Sequence, residues 1–284
     1  MPDFLPRPDA DGAWRAPAKL NLMLRVLGRR ADGYHRLQTV FQFIDRCDRL
    51  YFTPRRDGRI ERLQGAAGVD PEQDLVVRAA RALRAETGCD AGVEIRVDKL
   101  LPMGGGLGGG SSDAATTLHA LNQAWGLGLD IDSLARIGLT LGADVPVFVR
   151  GRAAWAEGVG EEMVPVTLPE PWYLVLVPPV GVSTAAVFND PDLTRDSHPI
   201  TMESFVAGDQ ANDCLAVVSR RYPAVAAAVD WLAAVGVAPR LTGTGACVFG
   251  SFGTDTEARA AMADAPEAYG AFVARGCNLS PLFS

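Results

Sequence analysis

The stretch Leu101-Pro102-Met103-Gly104-Gly105-Gly106-Leu107-Gly108-Gly109-Gly110-Ser111-Ser112-Asp113 decides how the rest of this sequence is interpreted. Six of the seven residues from 104 to 110 are glycine, and ordering so many glycines costs backbone entropy. Apolar residues then recur at helical spacing from Ala114 to Trp125, which predicts a helix directly behind the loop. Free N–H groups and the positive end of the helix dipole bind phosphate, so we expect a phosphate site here.

Strands and helices are mixed on both sides of this loop. Alternating apolar residues predict strands over residues 14–27, 34–44 and 172–177, and helical spacing predicts helices over 74–86 and 223–235. The order is not a regular alternation of strand and helix, because the chain begins with two hairpin-like strands. This favours an α+β fold in two domains over one doubly wound sheet.

The Pro-rich stretch 165–171 is the predicted boundary between domains 1–164 and 165–284. A further helix is predicted to be capped by Asp132 or Ser133 and to end at Gly142.

Composition limits the classes of function. The 284 residues are 48% hydrophobic and carry a net charge of −7, with no basic cluster, so we expect a globular protein that does not bind nucleic acid. No signal-peptide core and no apolar run of bilayer length occurs, so no membrane partner is expected. Five widely separated cysteines fit reduced thiols in the cytoplasm better than a redox or zinc motif.

Two other classes of phosphate-binding glycine loop, the Walker A loop and the Rossmann turn, fit the sequence less well. A Walker A loop needs a lysine after its last glycine, where Ser111 stands. Residues 104–109 satisfy the dinucleotide pattern GxGxxG, with Asp130 about 20 residues further on. Residues 99–103, however, separate the glycines from the preceding strand, unlike the Rossmann turn. A dinucleotide-dependent oxidoreductase, a flexible linker and a plain serine N-cap therefore remain as weaker alternatives.

The loop resembles the phosphate loop of the GHMP kinases, a family that includes galactokinase, homoserine kinase and mevalonate kinase. Four further segments resemble one branch of this family: Pro17-Ala18-Lys19-Leu20-Asn21-Leu22, Arg30-Ala31-Asp32-Gly33-Tyr34-His35, Leu141-Gly142-Ala143-Asp144-Val145-Pro146 and Arg240-Leu241-Thr242-Gly243-Thr244-Gly245-Ala246-Cys247. They run in order from residue 17 to about 249, so the resemblance covers nearly the whole chain.

The resemblance implies a fold and a reaction. The fold is the two-domain GHMP kinase fold, with an N-terminal domain like domain 2 of ribosomal protein S5 and a C-terminal ferredoxin-like domain. The reaction is phosphorylation, by ATP with Mg²⁺, of the 2-hydroxyl of a small molecule with a cytidine diphosphate group, a precursor in the non-mevalonate isoprenoid pathway. A kinase for homoserine or mevalonate, and a non-enzymatic nucleotide-binding module, are the remaining alternatives.

The resemblance also assigns the nucleotide site. ATP would be bound by Lys99 and by the loop residues Pro102, Met103, Gly104, Gly105, Gly106, Leu107, Gly108, Gly109, Gly110, Ser111 and Ser112. The turn Thr242, Gly243, Thr244 and Gly245 would close the phosphate site, although an ordinary tight turn would have the same composition. Asp74 stands where relatives carry Asn, so adenine recognition is not transferred to this chain.

Two residues are candidates for the chemistry. Asp144 matches the catalytic Asp of the family, and an Asp beside an alcohol can orient it and take its proton. Pro146 follows closely, so Asp144 could instead be a helix cap. Lys19 could stabilise Asp144 and the transferring phosphoryl group, or it could be a solvated lysine on a strand.

The acceptor site follows from the same resemblance. Asn21 would contact the substrate near the reacting hydroxyl, and Thr184 would contact it near Phe188. Tyr34 and Phe188 would stack on the cytosine, while His35 would hydrogen-bond its edge. Taken singly, a Tyr beside a hairpin, a surface His and a core Phe are the ordinary interpretations of the last three.

Overall fold

The computed structural model describes residues 5–31 and 33–284. Within these residues the strands are β1 (Trp14–Arg29), β2 (His35–Arg55), β3 (Ile60–Gln64), β4 (Gly92–Asp98), β5 (Ala154–Glu157), β6 (Glu162–Pro165), β7 (Trp172–Val177), β8 (Arg240–Leu241), β9 (Val248–Phe252) and β10 (Gly270–Cys277). The helices are α1 (Leu75–Thr87), α2 (Gly109–Ala124), α3 (Ile131–Leu141), α4 (Val145–Arg150), α5 (Thr184–Phe188), α6 (Met202–Val206), α7 (Leu215–Arg221), α8 (Pro223–Ala234) and α9 (Asp255–Ala263), with 3₁₀ turns at Pro71–Gln73 and Pro281–Phe283.

The described strands form one mixed sheet. Its main path runs β3-β4-β2-β10-β7-β9-β8, and β1 and β5 pair with β2 outside this path. Strand β10 pairs antiparallel with β7 along its length and with β2 at Gly276 and Cys277. Within this one sheet, β10 thus connects the strands of the first half of the chain to those of the second half.

The long antiparallel pair of β1 and β2 positions the site. The pairing extends from Trp14 opposite Leu50 to Arg29 opposite His35, with bulges after Pro17 and Asn21. Alternation along β1 buries Leu20 and its neighbours on one face. The other face carries Lys19 and Asn21, which are equally buried, so the interpretation of Lys19 as a solvated side chain is wrong.

Three apolar clusters surround this pair. One holds the helices α1 to α4 against the first half of the sheet, with Leu83, Leu118 and Phe148 at its centre. A second lies between the sheet and the helices α7 and α8 and includes Leu174 of β7 and Leu232 of α8. The third lies between them, includes Leu107 and Cys247, and supports the glycine loop from below.

Most predicted elements are confirmed. Strand β1 and helix α1 match their predicted ranges closely, and Asp74 is the N-cap of α1, accepting a bond from the amide of Val76. The second strand is much longer than residues 34–44. The predicted cap at Asp132 or Ser133 is wrong, because Asp130 caps α3 by accepting from the amide of Ser133, although the helix ends at Gly142 as expected. Among the described residues, no helix combines the length and the apolar character needed to cross a bilayer.

Candidate active site

The glycine loop ends in a helix start that has no side-chain cap. Helix α2 begins at Gly109, and its N-cap is Gly108, with a φ of 74° in the left-handed region. Gly108 brings no side-chain oxygen to the amides of the first turn, which lack partners inside the helix. These amides, together with the helix dipole, are suited to hold phosphate oxygens.

Glycine is required in the loop because other chain segments lie against it. A Cβ at Gly106, whose φ is 78°, would lie 2.1 Å from the carbonyl oxygen of Thr242. A Cβ at Gly105 would lie 2.5 Å from the Sγ of Cys247, whose amide donates to the Gly105 carbonyl. Burial raises the pKa of the Cys247 thiol to about 12, so it stays neutral beneath the loop.

A first cavity of about 370 Å³ opens above the loop. The loop residues Pro102 to Ser111 line it, together with Leu75, Val97 and Asp74. Asp74 is engaged within the protein: one oxygen caps α1 and the other accepts from Arg62. The cavity thus joins an apolar end to a backbone cradle for phosphate.

Lys99 lines this cavity, but its ammonium group is held by two carboxylates. It donates to Asp48 and to Asp113, the latter at 2.8 Å. Asp48 also accepts from the amides of Leu100 and Leu101, at the start of the loop. Burial, reinforced by Asp48 and opposed by Lys99, raises the pKa of Asp113. Lys99 therefore ties the two ends of the glycine loop together.

A second cavity, also of about 370 Å³, lies on the other side of the loop. The two cavities share Gly106, Gly108 and Ser111 as lining residues. Lys19 and Asp144 line only the second one, next to this junction. A group transferred from one cavity to the other would pass this junction.

Lys19 is buried and bonded on all sides. Its Nζ donates to Asn21 Oδ1 at 2.5 Å and to the Gly106 carbonyl at 3.0 Å, and it lies 3.2 Å from Asp144 Oδ2. It also lies 5.5 Å from the ring centre of Phe41. A buried ammonium needs such partners, and here they fix it between the glycine loop and the acidic side chain.

Asp144 does not act as a helix cap. It occupies the N-cap position of α4, but its side chain makes no capping bond. The side chain is 36% exposed and lines the second cavity. Its carboxylate is therefore accessible to a ligand while Lys19 holds it from below.

A buried network orients Asn21. Its Nδ2 donates to Thr39 Oγ1 at 2.9 Å, and that hydroxyl donates in turn to the Met23 carbonyl. Because the amide nitrogen is used in this way, Oδ1 faces Lys19. The backbone N–H of Asn21 also donates to Thr242 Oγ1 at 3.0 Å. This bond joins the turn after β8 to strand β1.

The turn from Thr242 to Gly245 packs against the glycine loop. Thr242 is buried and donates to the Gly106 carbonyl at 3.1 Å. Thr244 is 2.9 Å from Thr184, hydroxyl to hydroxyl, and both line the second cavity. Asn212, which the sequence did not indicate, donates to the carbonyl of Gly243 and holds the turn from behind.

The predicted cytosine residues are only partly assembled around the second cavity. Phe188 lines it, and the ring of His35 stacks on Phe188 with centres 4.9 Å apart. Neither His35 nor Tyr34 is part of the lining, and Tyr34 is 63% exposed. Burial and the charges of Arg195 and Arg29 lower the pKa of His35, which stays neutral near pH 7.

One predicted residue lies away from both cavities, and two residues that the sequence did not indicate contact the predicted site. Ser112, predicted to bind ATP, is buried and lines neither cavity. Thr39 and Arg195 contact predicted site residues, but their positions depend on strand register and on a distant loop. For those two, local sequence contains no pattern that would have indicated a role.

Comparison with known proteins agrees with this geometry. Residues 74–152 match the family model of the GHMP kinases N terminal domain, and residues 202–271 match that of the GHMP kinases C terminal domain. The 4-diphosphocytidyl-2-C-methyl-D-erythritol kinases of Nitrosococcus oceani and Pseudomonas aeruginosa are each 58% identical to the chain. The matches cover 95% of this chain and 96% of the first relative, and 94% of this chain and of the second.

A solved structure gives the same result. The crystal structure of a 4-(cytidine 5'-diphospho)-2C-methyl-D-erythritol kinase superposes with a TM-score of 0.80 at 33% identity, over 93% of this chain and 98% of the other. The chain therefore belongs to the GHMP kinases and, within them, to the family of the 4-diphosphocytidyl-2-C-methyl-D-erythritol kinases.

Proposed function

We infer that the protein is a small-molecule kinase that transfers the γ-phosphoryl group of ATP to the 2-hydroxyl of 4-diphosphocytidyl-2-C-methyl-D-erythritol. The observation that carries this inference is the junction of two cavities at Gly106, Gly108 and Ser111, beside the pair of Lys19 and Asp144. The relatives' names favour this acceptor over homoserine and mevalonate.

The first cavity is assigned to ATP. Its apolar end, near Leu75 and Val97, suits a base, and the loop from Gly104 to Gly110 suits the phosphates. We propose that Mg²⁺ enters with ATP as part of the substrate and would neutralise charge on its phosphates. Ser111 lines the junction and offers a hydroxyl oxygen, a donor type that suits Mg²⁺.

The second cavity is assigned to the acceptor. Asp144 orients the 2-hydroxyl and takes its proton as the oxygen attacks the γ-phosphorus, while the bond to the bridging oxygen of ADP breaks. Lys19 lies 3.2 Å from Asp144 as its counter-charge and offsets charge that develops on the phosphoryl oxygens. Asn21 and Thr184 line the same cavity and are placed near the sugar alcohol.

The cytidine end of the acceptor is placed beside Phe188. Tyr34 would cover the other face of the base, and His35 would bond its edge. Base stacking on an aromatic ring is worth roughly 1–3 kcal/mol, enough to anchor a nucleotide group. The position of Phe188 on the cavity wall supports this placement.

The proposal also covers the division into domains and the cellular location. We propose two domains, 1–164 and 165–284, and the separate family-model matches at residues 74–152 and 202–271 support this division. A cytoplasmic location is proposed because the co-substrate ATP is supplied there.

A panel of acceptors tests the function. ADP formation is measured with 4-diphosphocytidyl-2-C-methyl-D-erythritol, mevalonate, homoserine and galactose, each at a saturating concentration of ATP. We expect turnover with the first acceptor and only background rates with the other three. Comparable turnover with mevalonate or homoserine would overturn the assignment.

A further inference from the structure

Asp48 on β2 is a buried carboxylate beside the start of the glycine loop. Its Oδ1 accepts from the backbone N–H groups of Leu100 and Leu101, at 2.6 and 2.8 Å, and its Oδ2 accepts from the Lys99 ammonium group. Asp48 is 0% exposed and lines neither cavity. It can therefore act on a ligand in the first cavity only through these three groups.

The bonds of this carboxylate hold the glycine loop at both ends. Leu100 and Leu101 lie where the chain enters the loop, shortly after β4. Lys99 also donates to Asp113 Oδ2 at 2.8 Å, and Asp113 lies in α2, where the chain leaves the loop. One side chain on a distant strand thus fixes the entry into the loop directly and the exit from it through Lys99.

The same charged groups lie against the start of α2. A Cβ at Gly109, the first residue of this helix, would lie 3.5 Å from Asp48 Oδ2 and 3.4 Å from Lys99 Nζ. Gly109 lines the first cavity, and its N–H group belongs to the helix start that is suited to phosphate. The position of this helix start therefore depends on the buried pair of Asp48 and Lys99.

We propose that Asp48 is a positioning residue that holds the glycine loop in the conformation that binds the phosphates of ATP. An unrestrained loop with six glycines would lose much conformational entropy on becoming ordered around a ligand. A loop that is already fixed loses less entropy on binding, so its affinity for the ligand is higher. This step rests on the proposed function, which assigns the first cavity to ATP.

Two substitutions remove the bonds of Asp48 in steps. Asp48→Asn keeps one oxygen that can accept from the two backbone N–H groups, but its amide nitrogen is a donor and cannot bond the ammonium group of Lys99. Asp48→Ala removes all three bonds. Dissociation constants of ATP, ADP and adenosine are measured by calorimetry for the wild type and both variants.

The expected loss of affinity is confined to ligands with phosphates. Asp48→Asn should weaken ATP and ADP by about tenfold, as for the loss of one hydrogen bond to a charged group, and Asp48→Ala should weaken them further. Adenosine, which has no phosphate to place in the loop, should bind the three proteins with similar affinity.

Asp190 provides a matched control for the loss of a buried carboxylate. It too is buried, and it accepts from the backbone N–H of Asp192 and from the cations Arg220 and Arg221. It lines neither cavity. Asp190→Asn should lower Tm as Asp48→Asn does, but it should leave the dissociation constant of ATP unchanged.

Three results would overturn the proposed role of Asp48: unchanged ATP affinity in Asp48→Asn and Asp48→Ala, an equal loss of affinity for adenosine, or the same loss for ATP in Asp190→Asn. Failure of the wild type to bind ATP would instead overturn the assignment of the first cavity in the proposed function.

Amide hydrogen exchange of the wild type tests the same point without a variant. We expect the N–H groups of Leu100 and Leu101 to be protected from exchange in the absence of nucleotide, because Asp48 already holds them. Adding ATP should then increase their protection only slightly. Rapid exchange of both groups without ATP, followed by strong protection with it, would contradict the proposal even if the Asp48 variants did not fold.

Discussion

Lys19 Nζ lies 3.2 Å from Asp144 Oδ2, and this contact joins the buried strand β1 to the start of α4 at the junction of the two cavities. The lysine is 3% exposed and the aspartate 36%. The pair thus has one buried, fixed member and one member open to the second cavity, which we assign to the acceptor. That asymmetry is what a general base with an electrostatic support requires.

Removing the lysine should affect both chemistry and stability. In Lys19→Met the carboxylate loses its counter-charge, and the Gly106 carbonyl loses a buried donor. We expect kcat to fall about 10²–10³-fold, as for the loss of one donor that stabilises a transition state. Steady-state kinetics and thermal unfolding check this. Arg150→Met, which breaks an exposed pair with Asp132, should leave kcat unchanged.

Two glycines of the loop provide a matched test of its packing. Gly104 and Gly106 both have a positive φ, but a Cβ at Gly104 meets open space, whereas one at Gly106 collides with the Thr242 carbonyl. Gly104→Ala should cost only about 1–2 kcal/mol of backbone strain. Gly106→Ala should in addition displace the Thr242 turn and abolish most activity. Equal effects of both substitutions on ATP binding and Tm would show that this contact is unimportant.

A substitution in the second cavity should change binding of the acceptor without changing binding of ATP. Phe188 lines only the second one, so Phe188→Ala should raise the KM for the acceptor by roughly tenfold and leave the KM for ATP nearly unchanged. Kinetics with both substrates varied measure this. A change in the KM for ATP alone would mean that the two cavities have been assigned the wrong way round.

A buried histidine outside the site should make folding pH-dependent. His119 Nε2 lies 2.9 Å from the Val149 carbonyl, and burial lowers the pKa of its ring to about 4. The unfolded chain takes up a proton near pH 6.5, so this group's contribution to stability declines as the pH falls from about 6.5 to about 4, by at most about 3 kcal/mol.

Denaturant unfolding at pH 7 and pH 4.5 measures this contribution. His119→Gln can still donate to the Val149 carbonyl but does not titrate, so it should lose less stability on acidification than the wild type. His198→Gln, at an exposed position, should behave like the wild type. The same acid sensitivity in all three proteins would exclude His119 as a source of it.

The sequence was most informative where the structure depends on local pattern. Glycines followed by a helical stripe from Ala114 predicted a helix behind the loop, which in the structure begins at Gly109, still within the glycine run. Alternation along β1 placed Lys19 and Asn21 on one face. The cap of α3 was mispredicted because Asp130, Asp132 and Ser133 are all capping residue types. Only the backbone conformation decides that Asp130 accepts from the amide of Ser133.

Contacts between distant segments could not be predicted in the same way. Thr242 bonds to Asn21, and Arg195 bonds to His35, only because β10 and the second half of the sheet bring these segments together. Strand register also decides that Thr39, and not a neighbour, bonds to Asn21, since a shift by one residue would reverse the faces. Such contacts depend on tertiary packing, which cannot be predicted from the residues next to each position in the sequence.

The substitution Asp144→Asn tests whether Asp144 takes the proton of the acceptor hydroxyl. Asn keeps the size of the side chain but cannot act as the base, so kcat should fall by about 10²–10⁴-fold while ATP affinity and Tm stay close to those of the wild type. Asp132→Asn, at an exposed position of α3, should keep full activity. A kcat close to that of the wild type in Asp144→Asn would show that Asp144 is not the base.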